Sequence, residues 1–273
     1  HYLIEMTPSA PFYALMWSLT HAWHFAWLIY AISVAIRSSP YGPLCVLPGH
    51  ISPFMFMFFI AGCLSDSVWL ILRNHFMISA GLGVLCVSVA CSLSACIIAH
   101  RQLNRTGLQL LTMKAGKEIW WTRVLVLNGL AIHTAWVAVL VIMNSCIVIS
   151  YVYQVHQSVS TTYGLCALAV MASVWSVSDV YYLDRYTRYT ISPNLALIVI
   201  LTGILMQNIR FINNNSILNI ILLGSFSVYV LGRVIYMVRR HRKKPIFKDV
   251  ALFHDEAQHR SYGSNEFMEI TVS

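Results

Sequence analysis

The sequence predicts an all-α, multi-pass transmembrane bundle of about seven spans, with the N-terminus outside and the C-terminus cytosolic. Three observations carry this. First, 58% of the 273 residues are hydrophobic and only 10% are charged, where a soluble domain has about 25% charged residues. Second, mean hydropathy is +0.67, and the apolar residues fall in long unbroken stretches. Third, Lys and Arg sit almost wholly in alternate connections. Disordered, fibrous and disulfide-stapled classes are excluded, and the composition argues against a soluble enzyme.

A hydrocarbon core of about 30 Å takes about 20 helical residues. Residues 12–36, 54–72, 77–99, 122–150, 163–183, 194–212 and 216–238 meet that length. The first span ends at the Pro- and Gly-rich run RSSPYGPLCVLPGHISP. The second and sixth open behind Pro53 and Pro193, where a missing N–H costs nothing. RNHF separates the second from the third, QVHQSVSTT the fourth from the fifth, and DRYTRYTISP and NNN bound the sixth. The connection 100–121 is the longest. Its LQLLTMKAGKEIWW stretch predicts a short interfacial helix, with Trp120 and Trp121 at headgroup level. Barrel strands are excluded, being about 10 residues long and alternating.

Charge sets the orientation. Fifteen of the 18 Lys and Arg fall on one side. They are Arg37, Arg101, Arg105, Lys114, Lys117, Arg123, Arg185 and Arg188, with Arg239, Arg240, Arg242, Lys243, Lys244, Lys248 and Arg260 of the tail. The other side holds Arg73 and Arg210, and Arg233 lies inside the last span. The positive-inside rule makes the rich side cytosolic. Basic residues so placed suit an anionic leaflet, making membrane lipids the expected partner and nucleic acid not. The RRHRKK run ends the last helix in this reading, and the tail beyond is polar and poorly ordered. The chain opens on His1 rather than Met, which points to a missing N-terminal piece. The seven Cys form no CxxC pair and read as small buried thiols in lipid-embedded helices.

Ionisable residues at membrane depth face the bundle interior or a wet cavity. His21, His24, Asp66, His133, Asp179 and Arg233 qualify. Tyr13, Trp17, His21 and His24 share one face of the first span, and Trp23, Trp27 and Tyr30 form a neighbouring stripe. Asp66 must be neutral, paired or wet, with His21 or His133 as partner. Asp179 pairs with Arg233 in a structural role. Asn128, His133, Trp136, Asn144 and Ser145 make the fourth span polar enough for helix–helix hydrogen bonds. The spacing of the two His and Asp66 carries no zinc signature, so no metal is expected. No nucleophile elbow, phosphate loop or HExxH occurs, and no enzyme is expected.

Leu183-Asp184-Arg185-Tyr186 resembles the DRY motif of rhodopsin-like receptors. That motif ends a third span, whereas here it ends the fifth, and NPxxY and CWxP are absent. The triplet reads as charges capping a helix. Thr7-Pro8-Ser9-Ala10-Pro11-Phe12-Tyr13-Ala14-Leu15-Met16-Trp17, followed by Trp27-Leu28-Ile29-Tyr30, resembles the TPxGxxFxxW segment of the TspO family, the translocator or tryptophan-rich sensory proteins. Asp66-Ser67-Val68-Trp69 is similar to its NxxW motif. Ala135-Trp136-Val137 with Asn144 is similar to its PYLAWxxFxxxLN segment. The run Leu183–Thr190 and the region Gly116–Ala131 resemble longer animal relatives with extra spans. The resemblance divides the chain into TspO-like helices in 1–153, three further helices in 154–238 and a basic cytosolic tail in 239–273. It implies a bundle around an apolar, Trp-lined pocket that takes porphyrins, sterols and aromatic ligands. The pocket role falls on Trp17, Asp66, Trp69, His133, Trp136 and Asn144, with His21 where the family often has Tyr.

The expected function is binding or transport of a hydrophobic aromatic or sterol-like molecule, without catalysis. No cofactor is implied, though a porphyrin or sterol is an allowed ligand. The alternatives are an accessory subunit among other membrane proteins and a seven-span receptor. The expected location is the plasma membrane or an endomembrane rather than the mitochondrial outer membrane.

Overall fold

The computed structural model describes residues 4–39, 42–46, 49–209, 213–243 and 246–247. Within them the chain forms eight helices. They are α1 (Ala10–Ile36), α2 (Pro53–Asn74), α3 (Ile78–Thr112), α4 (Gly116–Tyr151), α5 (Gln157–Tyr182), the single turn α6 (Asp184–Thr187), α7 (Ser192–Asn208) and α8 (Asn214–Lys243). Between α1 and α2, Ser38–Ser39 and Gly42–Pro43 pair as a two-residue antiparallel bridge. Six of the helices are long and apolar enough to cross a membrane. The chain is an integral, multi-pass membrane protein.

The shorter α7 also runs from one end of the bundle to the other. At its start Ser192 Oγ–H donates to the carbonyl of Asn128 at 2.7 Å. At its finish Asn208 Nδ2 donates to the carbonyl of Glu5 at 2.7 Å. Its 17 residues reach about 25 Å at 1.5 Å each. Among the described residues, seven helices thus run the length of the bundle. Four contacts bring the basic connections to one end. Arg37 pairs with Glu118 at 2.8 Å, and Gln102 bonds the Gly49 carbonyl at 2.7 Å. Arg185 bonds Asn104 at 3.0 Å, and Tyr189 meets His241 at 2.8 Å.

The central pillar is α4. In its most apolar stretch 67% of residues are buried, against 17 to 28% in the other long helices. Apolar residues stand on all of its faces, with a few polar ones among them, which fits a helix surrounded by others. It packs against α1, α3, α5 and α7, joining the helices before and after residue 153 into one bundle. α2 and α3 form the closest antiparallel pair. Across α1 and α4, a Cβ on Gly129 would stand 2.9 Å from both Trp23 Cδ1 and Trp27 Cδ1. A glycine there lets two indoles come close to the pillar.

α4 widens to i→i+5 bonding over Thr122–Leu127. Such a turn displaces carbonyls from their usual partners. Asn128 uses the result. Its Nδ2 donates to the Arg123 carbonyl at 2.8 Å and to the Tyr189 carbonyl at 3.0 Å. Its Oδ1 accepts the N–H groups of Ile191 and Ser192, each at 3.0 Å, capping α7. Asp179, at the widened last turn of α5, pairs with Arg233 of α8 at 2.5 Å. Arg233 also reaches Asp184 at 3.2 Å. Asp184 holds Arg188 at 2.8 Å and Arg240 at 3.1 Å. Asp184, the first residue of the Asp-Arg-Tyr triplet, thus fastens α6 to α8, while Arg185 reaches α3.

Several expected limits move. No helix of its own forms from LQLLTMKAGKEIWW. α3 continues to Thr112, because nothing before Met113 breaks it, and α4 starts at Gly116. The break falls at Lys114, whose φ is 57°. α5 starts earlier than expected, where His156 Nδ1 accepts the Ser158 N–H at 3.3 Å. Among the cysteines only Cys146 is buried, while Cys45, Cys86 and Cys166 face outward. In lipid an apolar thiol gains little by facing inward, so burial by protein does not follow. The tail from residue 248 onward lies outside the described residues.

Candidate functional site

Six of the seven residues singled out in the sequence, Trp17, Asp66, Trp69, His133, Trp136 and Asn144, converge where α1, α2 and α4 meet. Trp17 of α1 stacks on Trp69 of α2, with centroids 6.4 Å apart and planes 18° apart. Trp136 of α4 stands edge-on to Trp17 at 5.8 Å, and Tyr13 meets Trp136 at 5.3 Å. Trp69 Nε1–H points at Asn144 Oδ1, 3.4 Å away. The amide of Asn144 is fixed in turn by its Nδ2–H to the Leu140 carbonyl at 2.8 Å.

A polar layer lies beside the indoles. Ser88 Oγ–H donates to Asp66 Oδ1 at 2.6 Å. His133 Nε2 stands 3.4 Å from Asp66 Oδ2, without the alignment of a hydrogen bond. The His24 ring lies 4.8 Å from that of His133. Phe59 closes this layer against His24 at 4.9 Å and Trp27 at 4.8 Å.

Six side-chain atoms here are buried without a hydrogen-bond partner: His24 Nε2, His133 Nδ1 and Nε2, Trp27 Nε1, Trp136 Nε1 and Ser92 Oγ. In hydrocarbon each unpaired polar group costs several kcal/mol. His133 is 3% exposed and Trp136 is fully covered, so bulk water does not reach them.

His21 takes a different place. It is exposed, and its Nδ1 bonds the Trp17 carbonyl of its own helix at 2.7 Å. Its ring lies 5.4 Å from Trp17. The inward histidine is His24, one turn on. Both histidines share the face that the spacing identified, and only the rotation of α1 separates their roles. Ser88 and Ser92 carried no signal among the many serines of α3. Phe59 carried none among the phenylalanines of α2.

The indoles and the polar layer pack against one another, and three cavities are seen elsewhere among the described residues. One of 350 Å³ opens between α1 and α2 toward the basic end, lined by Leu28, Ile32, Cys45, Ile51 and Phe56 among others. It adjoins the site, because Phe56 touches Trp27 at 5.6 Å. One of 210 Å³ lies among α3, α4, α5 and α7, and one of 310 Å³ among α5, α7 and α8. α1 and α2 meet through long aromatic side chains rather than close backbone approach. Groups of three or more His, Cys, Asp or Glu able to hold a metal do not occur among the described residues.

Compared with protein-family models, curated proteins and solved structures, the chain matches none.

Proposed function

We propose that this membrane protein binds, and moves between lipid and its own interior, a hydrophobic aromatic or sterol-like molecule bearing a few polar groups, without chemical conversion. One observation carries the reading: unpaired polar atoms of His24, His133, Trp27 and Trp136 gathered among stacked aromatic faces. Sites for such ligands combine an apolar lining with a few convergent polar groups. A ligand carrying carboxyl, carbonyl or hydroxyl groups would satisfy them while its rings lie against Trp17 and Trp69. Binding would part the side chains of this cluster. The α1–α2 seam is the place to part, since only side chains bridge it and a 350 Å³ cleft already adjoins it. The likeness of the Trp17, Trp69 and Trp136 segments to the TspO family supports the same ligand class.

The test is a fluorescence titration in lipid nanodiscs with protoporphyrin and with a fluorescent sterol. Saturable quenching of tryptophan is expected for at least one. Trp17→Ala should weaken binding at least about tenfold, the loss of one stacked aromatic wall. Only linear, non-saturating quenching with both probes overturns the proposal.

A further inference from the structure

We propose a second, separate site: a slot for one acyl chain of an anionic phospholipid, with its phosphate held by the basic end of α8. The slot is the 310 Å³ groove between α5 and α8, floored by Leu197 and Leu201 of α7. Its walls are alkyl and phenyl groups, including Leu168, Leu222 and Phe226. The room exists because small side chains stand where larger ones would close it: Ala169, Ala172 and Ser173 on α5, and Ser225 on α8. Ser173 and Ser225 are exposed at its mouth, so the groove is open to a chain lying in the bilayer.

The face of α8 that lines the groove continues to the charged end. Leu222, Tyr229, Tyr236 and Lys243 follow one another at intervals of seven. Seven residues are two helical turns with about 20° of drift. The ladder therefore runs from the apolar groove through two tyrosines to a basic terminus. Arg240 joins it, with its guanidinium 5.5 Å from the Tyr236 ring and its side chain 41% exposed. Lys243 is exposed. From Ser225 to Arg240 is about 22 Å at 1.5 Å per residue. An acyl chain with its glycerol and phosphate spans about that distance.

The charge selects the head group. Beneath this end two aspartates, Asp179 and Asp184, face three arginines, Arg188, Arg233 and Arg240. The cluster keeps an excess positive charge, to which Lys243 adds. A phosphodiester with a further negative group suits it, and a zwitterionic choline lipid does not. This site touches none of the residues of the α1–α2–α4 cluster and stands or falls independently of the function proposed above.

The experiment is native mass spectrometry of the full chain released from mixed micelles holding equal dioleoyl phosphatidylserine and dioleoyl phosphatidylcholine. Preferential retention of phosphatidylserine is expected. Arg240→Gln with Lys243→Gln should lower that retention about tenfold or more, since each basic group near a membrane surface adds about fivefold. Ser173→Phe fills the slot and should lower it comparably. Ser225→Phe is the second groove variant, should the first fail to fold by thermal melt. Equal retention of the two lipids overturns the proposal, leaving annular lipid only. Loss on removing the charges with no effect of filling the groove also overturns it, because the head group alone then binds.

Discussion

His133 Nε2 lies 3.4 Å from Asp66 Oδ2 while Asp66 Oδ1 accepts the hydroxyl of Ser88 at 2.6 Å. One carboxyl oxygen is thus well bonded, and the other faces an imidazole that is poorly aligned to it. The arrangement separates a structural half of Asp66, tied to α3, from a half turned toward the aromatic cluster.

That division predicts different outcomes for two substitutions. Ser88→Ala removes the structural bond and should lower the melting temperature by several degrees, as a buried polar group left without its partner costs about 1–3 kcal/mol. Asp66→Asn keeps an oxygen for Ser88 and should leave melting nearly unchanged. It should weaken porphyrin or sterol binding at least about fivefold, roughly 1 kcal/mol of lost polar contact. Unchanged affinity in Asp66→Asn would remove Asp66 from the site.

Arg233 and Asp179 are 3% and 1% exposed at the side chain. Truncating either alone leaves a buried charge and should cost about 3–5 kcal/mol. Arg233→Leu with Asp179→Leu should recover part of that loss. Chemical denaturation of the four proteins in micelles gives the cycle. Additive losses would show that the pair is not coupled.

Asn128 serves four backbone groups at once, two as donor and two as acceptor. Asn128→Leu should therefore destabilise by about 2–4 kcal/mol, several times the usual value of one hydrogen bond. Amide exchange should rise first at Ile191 and Ser192. Uniform loosening across α8 instead would place the effect elsewhere.

The connection between α1 and α2 should respond to acid. His50 is buried, and its Nε2 lies 3.1 Å from the Tyr30 hydroxyl. Burial pushes its pKa below the ordinary value of 6.5, only partly opposed by the Glu118 carboxylate. A histidine whose folded pKa is depressed adds no penalty above pH 6.5. It withdraws stability as pH falls below that, because the unfolded chain takes up the proton first. The melting temperature should drop between pH 7.5 and 5, and His50→Gln should flatten that drop. An identical slope in His50→Gln would assign the titration to another group. On the same connection, the bidentate hydrogen bond to Glu118 raises the pKa of Arg37, which stays charged throughout.

Much of the architecture was legible before any coordinates. Span number follows from runs of apolar residues, and the clustering of basic residues at one end follows from their alternation between connections. The Asp179–Arg233 pair was legible because two opposite charges at similar membrane depth have few other partners. The helix starts at Pro53 and Pro193 followed from proline stereochemistry. The continuation of α3 to Thr112 was not, since polar residues past residue 99 signal an exit from lipid but not an end of helix.

By itself the sequence determined a seven-traverse membrane bundle, its charged end, and an aromatic face on the first helix carrying two histidines. The folded bundle alone shows that His24 turns inward and His21 outward, that Ser88 holds Asp66, and that Trp17 stacks on Trp69. The physical reason is that hydropathy, charge and capping act along one chain segment at a time. Which side chains meet depends on the rotation and tilt of each helix against its neighbours, and in lipid no burial of apolar surface fixes that rotation in advance.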